Sequence, residues 1–174
     1  ADAQTDSAPA ATPAPTTAPA SAPAATPPAR SEGAPASKMS GDWNVRCFPV
    51  QSEAPCDIFQ MLVNKKMRVR VMSMSIAYAP AQSRYLIQIT VPLQVALAKG
   101  VTIEAGSSTS PKMIYRRCAA DGCVVEGPVD ASIITALSQA GDTAKMVVVS
   151  RDGKTIRLPM SLKGYSEALE SMKS

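Results

Sequence analysis

From Arg84 to Val91 the chain alternates: Tyr85, Ile87, Ile89 and Val91 fall on one side, and Arg84, Leu86, Gln88 and Thr90 on the other. That is the period of a half-buried strand. Residues 155–160 repeat it, with Ile156, Leu158 and Met160 opposing Thr155, Arg157 and Pro159. Residues 67–76, 101–105, 113–118, 123–126 and 144–150 are five further runs of strand length. Asp152-Gly153, flanked by Arg151 and Lys154, separates two such runs and predicts a hairpin over 144–160. Two segments break the pattern. Asp130 stands as a cap before Ile133, Ile134 and Leu137, with Gly141 beyond them, and Gly164 precedes Ala168, Leu169 and Met172. Both predict short helices, peripheral to the sheets. About seven closely spaced strands without crossover helices predict a mostly β, antiparallel sandwich or barrel of immunoglobulin-like size.

Composition changes the picture at the N-terminus. Residues 1–37 hold eight of the fifteen prolines and fourteen alanines, without Val, Ile, Leu, Phe, Tyr or Trp. Such a segment has no apolar area to offset its ordering entropy, so it reads as a disordered, Pro/Ala-rich tail with polyproline II character. Residues 38–174 then form one folded domain with a single modest core. No run approaches the roughly 18 apolar residues of a membrane span. The formal net charge is +4. The tail contributes Asp2, Asp6 and Glu32 against Arg30, which leaves the domain basic and suited to acidic partners or simply to solubility.

Four cysteines fall in two tight pairs, Cys47 with Cys56 and Cys118 with Cys123. Three connectivities are possible, and sequential pairing is preferred because each pair flanks its own turn. Spacings of eight and four intervening residues, with no histidine in the chain, argue against a redox or zinc site. Arg116 and Arg117 leave open a reactive Cys118 if that thiol were free. The even cysteine count, with an opening Ala1-Asp2-Ala3-Gln4 that lacks an initiator Met, fits a mature exported protein freed from a signal peptide. Trp43, beside the first pair, reads as core.

Catalytic chemistry is sparsely supported. Without histidine, Ser-His, Cys-His and His-metal arrangements are excluded, and the carboxylates form no Asp-x-Asp or EF-hand array. A glycine-rich phosphate loop is absent. The expectation is therefore a non-enzymatic protein without metal or cofactor. The candidate binding face is Lys66, Arg68 and Arg70, read as one strand face that continues into apolar Met72 and Met74. The alternative is a strand end charged against edge pairing, with the methionines in the core. Nucleic acid is not expected, since basic and aromatic residues do not interleave.

Four motifs in order carry a family resemblance. They are Trp43-x-Val45-x-Cys47 followed by Cys56; Ile89-Thr90-Val91-Pro92-Leu93 with Val95, Leu97, Gly100 and Val101; Cys118-x-x-x-Gly122-Cys123; and Ser161-Leu162-x-Gly164-Tyr165-x-x-Ala168. With them the chain resembles the invasion-associated locus B (IalB) family of exported alphaproteobacterial proteins. The resemblance implies an antiparallel immunoglobulin-like β-sandwich with paired cysteines, located in the periplasm or at the cell surface. It also implies an association with host-cell invasion in pathogenic members, and it carries no agreed catalytic residues. The expected partner is an envelope or host protein, or an anionic polymer or lipid surface. A chaperone-like or structural envelope role, with clients at Met72 and Met74, and a thiol-reactive enzyme are the competing readings.

Overall fold

The computed structural model describes residues 35–174. Eleven strands and two α-helices follow one another: β1 (Ala36–Ser40), β2 (Trp43–Cys47), β3 (Cys56–Asn64), β4 (Val69–Ala79), β5 (Arg84–Val91), β6 (Val101–Ala105), β7 (Ser108–Thr109), β8 (Tyr115–Ala119), β9 (Gly122–Val129), α1 (Ala131–Gln139), β10 (Thr143–Val149), β11 (Thr155–Ser161) and α2 (Tyr165–Lys173). The expected tail lies outside the described residues except at its last few positions, where Ala36 and Ser37 already belong to β1.

All pairings are antiparallel and make two sheets, ordered β1-β2-β3-β4-β5-β9-β8 and β11-β10-β6-β7. The sandwich expectation holds. From β1 to β5 its larger sheet is a plain meander, simpler than the interleaved strand order of an immunoglobulin domain. The predicted hairpin is present, with Thr143 opposite Ser161 and Val149 opposite Thr155.

The alternation read from the sequence selects the core. Ile87, Ile89 and Val91 of β5 are buried, as are Met72, Met74 and Ile76 of β4 and Val101, Ile103, Met146, Val148 and Met160 of the smaller sheet. One continuous cluster joins them with side chains from both helices. Each helix is short, as expected, and each sends an apolar face into this core: Ile133, Ile134 and Leu137 from α1, and Tyr165, Ala168, Leu169 and Met172 from α2. Strands β2 and β3 had no clear sequence signal. They form because Cys47 pairs directly across from Cys56, with Val45 opposite Ile58 on the buried side.

Trp43 is the fully buried keystone of one end. Its ring meets Tyr165 edge-on at 5.3 Å, and its Nε1 donates to Ser161 O at 3.0 Å. Two turns press together beside it. A Cβ on Gly41 would lie 2.3 Å from Lys163 O, and one on Gly164 would lie 2.2 Å from Ser40 O. Both glycines also have positive φ, +56° and +78°, so only glycine permits this contact.

Candidate interaction surface

The sequence places Lys66, Arg68 and Arg70 on one strand face. The structure corrects this. Strand β3 ends at Asn64 and β4 begins at Val69, so Lys65, Lys66, Met67 and Arg68 form the turn of a hairpin. Asn64 shapes the turn, its Oδ1 accepting from the backbone N of Lys66 at 3.0 Å and of Met67 at 3.2 Å. Arg68 adopts the left-handed conformation at φ 54°. A register shift between Leu62 and Val63 adds a bulge that re-aims the hairpin end relative to the sheet.

Arg70 is engaged separately. Its Nη2 donates to Asp121 O at 2.6 Å and stands 3.8 Å from the Asp121 carboxylate, which ties the β3–β4 hairpin to the β8–β9 turn. Met72 and Met74 leave the candidate face altogether, since both are fully buried in the core. A client-binding surface built on them is excluded by that burial, and the core alternative holds. The bulge and the turn reset the alternation that the sequence extended through residues 66–74.

What the structure brings together instead is one end of the sandwich. Strand β4 starts, β5 ends and β9 starts at this end, and the loop after β5 runs on to the smaller sheet. Ala96 N donates to Val149 O at 2.8 Å, and Arg151 N donates to Gln94 O at 2.7 Å. Lys65, Lys66, Arg68 and Arg70 therefore lie at this end of the strands together with Lys99, Arg151 and Lys154, and the adjoining turns also carry Asp42, Asp121 and Asp152. Asp152, held below the usual carboxylate range by a hydrogen bond from Ser150, pairs with Lys154 at 3.1 Å. Lys65, Lys66 and Arg68 make no ion pair with a described carboxylate. A signal for this end was present in the sequence: residues 58–103 contain no Asp or Glu.

A cleft of about 560 Å³ lies elsewhere, where β8 parts from β9. Met113 is committed to Val101 through two 2.8 Å backbone hydrogen bonds, so the chain joins β9 only from Tyr115 onward. Ile87, Val125 and Val129 contribute apolar walls. The Tyr115 hydroxyl is buried without a hydrogen-bond partner among the described residues, and burial pushes its pKa up to about 12. Pro128 has no N–H to offer along this open stretch of β9, which blunts it against strand addition.

Both disulfides close within their own hairpins, Cys47–Cys56 and Cys118–Cys123, and no cysteine of the chain is free. The reactive form of Cys118 is thereby excluded in this state. Beside the first bridge, Arg46 makes a two-pronged contact with Asp57 at 2.9 and 2.5 Å and stacks 4.0 Å above the Phe59 ring.

These features define a disulfide-stapled, two-sheet antiparallel β-sandwich with one cationic end. The family model for invasion-associated locus B protein matches residues 43–173, and the chain belongs to that family. Two invasion protein B homologues from Brucella abortus are each 21% identical to it over 133 residues, 76% of this chain and 76% of theirs. The crystal structure of invasion associated protein B from Bartonella henselae superposes with a TM-score of 0.68 at 23% identity. The match covers 79% of this chain and 96% of that one, so the fold is shared.

The residues that carried the resemblance turn out to be architectural. Gly122 passes close enough to β5 that a Cβ would lie 2.2 Å from Val91 O, and Gly100 is confined likewise by Met113 O at 2.3 Å. Ser161, Leu162, Gly164, Tyr165 and Ala168 lock α2 onto Trp43 and β1. Gly100 and Gly122 adjoin Lys99 and Asp121, so two of these motifs border the cationic end, where Leu93 is exposed.

Proposed function

We propose that this protein is an exported, non-enzymatic binding module that presents the cationic end of its sandwich to an anionic component of the cell envelope or of a host surface. The observation that carries this reading is the β3–β4 turn, where Lys65, Lys66 and Arg68 stand together without a carboxylate partner among the described residues. Charge gathered on one projecting turn focuses attraction on acidic surfaces, which charge scattered for solubility does not do. Two closed disulfides in a small domain suit an oxidising compartment, in keeping with export to the periplasm or cell surface. The invasion-associated names of the relatives make host surfaces one place to look.

The test is a cross-linking pull-down from envelope extracts and host membranes with the full chain and a Lys65→Glu, Lys66→Glu, Arg68→Glu variant. Capture of an anionic component by the native protein and its loss in the variant is the expected result. Equal capture by both proteins removes this end as the site.

A further inference from the structure

The cationic turn is surrounded by apolar side chains that the fold leaves outside its core. Met67 at the apex is 69% exposed, and Met61, Val63 and Val69 on the flanking strands are 50, 39 and 47% exposed. Val63 sits opposite Arg70 and Asn64 opposite Val69, so these side chains belong to one hairpin end rather than to scattered positions. Leu93, where the chain leaves β5 at the same end, is 48% exposed. Apolar surface gathered in this way calls for an occupant.

We propose that the β3–β4 hairpin is a membrane foot: Met67, with Met61, Val63 and Val69, enters the boundary between headgroups and acyl chains of an anionic bilayer, while Lys65, Lys66 and Arg68 bind the lipid phosphates. The proposal deepens the binding-module reading and rests on it. Three observations favour lipid over a protein partner. Cationic and apolar residues alternate at the tip from Lys66 through Met67 and Arg68 to Val69, so long cationic stems can reach outward as the apolar side chains sink, the arrangement by which Lys and Arg snorkel. No carboxylate lies within residues 58–103 to be repelled by anionic headgroups. The surface is also a convex turn, and the cleft beside β8 and β9 receives no residue from it. A fluid bilayer fits a projecting tip without a matching shape, whereas a protein partner needs complementary packing.

Co-sedimentation of the full chain with vesicles of phosphatidylglycerol and phosphatidylcholine, against phosphatidylcholine alone, reads this directly. Binding is expected to the anionic vesicles only, and part of it survives about 0.5 M salt, where the Debye length has fallen to a few ångströms. The Met67→Ser, Val69→Ser variant keeps every cation; it is expected to bind about tenfold more weakly and to lose its salt-resistant fraction. The Lys65→Glu, Lys66→Glu, Arg68→Glu variant is expected to lose roughly a hundredfold or more. A Met67→Trp protein should show a blue-shifted emission on anionic vesicles, a readout independent of the stability of the serine variant.

Unchanged Trp emission, or serine-variant binding equal to the native protein, overturns the membrane foot. Self-association abolished by Met67→Ser overturns it in favour of a second copy of the chain. Retention on an immobilised anionic polysaccharide without vesicle binding overturns it too, yet leaves the binding module standing. If the glutamate variant matches the native protein on both vesicles and polysaccharide, the binding-module reading falls as well.

Discussion

Gln60 on β3 and Ser161 on β11 hold each other by two hydrogen bonds in opposite directions. The Gln60 Nε2 donates to Ser161 O at 3.0 Å, and Ser161 N donates to Gln60 Oε1 at 3.1 Å. The side-chain amide thus serves as a one-residue strand partner for the edge of the smaller sheet and ties the two sheets together. Gln60 is only 8% exposed, so water does not replace these bonds easily.

Gln60→Leu is expected to destabilise the protein by about 1–3 kcal/mol, because it leaves the Ser161 N–H unpaired while Ser161 O keeps its bond from Trp43 Nε1. Urea unfolding of the variant reads the loss as a lower midpoint at unchanged slope. A midpoint equal to the native value would mean that the two sheets are joined without this amide.

Gly164→Ala is expected to cost more than about 3 kcal/mol or to abolish folding, since it combines a positive φ with a backbone collision at Ser40 O. Gly153→Ala is the control. Its φ is also positive, at +86°, but no heavy atom lies within 4 Å of the added Cβ. Thermal melts of the pair separate the collision from the backbone strain.

Met74→Ala and Met67→Ala should part company. Truncating the buried Met74 is expected to cost about 2–5 kcal/mol, and truncating the exposed Met67 to stay within about 0.5 kcal/mol. Denaturant curves for both variants check the division between core and surface along this hairpin.

Each disulfide closes a short loop, with sequence separations of 9 and 5. Replacing either pair by serine is expected to lower stability by roughly 2–3 kcal/mol in the chain-entropy account. Unfolding under reducing and oxidising conditions measures this for the native protein, and the single-pair variants apportion it.

At high pH the half-buried Tyr115 and the buried Tyr165 set the trend. Tyr115 ionises at 10.0 in the unfolded chain and at about 12 when folded, because burial penalises the phenolate, and Tyr165 is shifted upward for the same reason. A raised folded pKa means that the stabilisation is complete below about pH 10 and is lost as pH rises toward 12. Stability measured across that window should fall, and Tyr115→Phe should flatten the fall. A slope unchanged in the variant would show that Tyr115 titrates as though exposed.

The sequence was legible where structure follows a local rule. Strict alternation gave β5 and β11 almost residue for residue, a short apolar run gave β6, Asp152-Gly153 gave the β10–β11 turn, and the capping and stop signals gave both helices. The cysteine pairs were legible because each closes across its own hairpin. Strand β3 was not, because Phe59, Met61 and Val63 put apolar residues on its outer side and erase the alternation. Tertiary structure alone decided the candidate site. Period-2 arithmetic carried Lys66 and Arg68 onto the face of Met72 and Met74, but it cannot register a turn at 65–68 or a bulge at Leu62/Val63, each of which shifts every later side chain. It also cannot tell a methionine under a second sheet from one at the tip of a hairpin. Met74 and Met67 are the same residue in similar company along the chain, and only the packing of the sheets and α2 buries one and leaves the other in solvent.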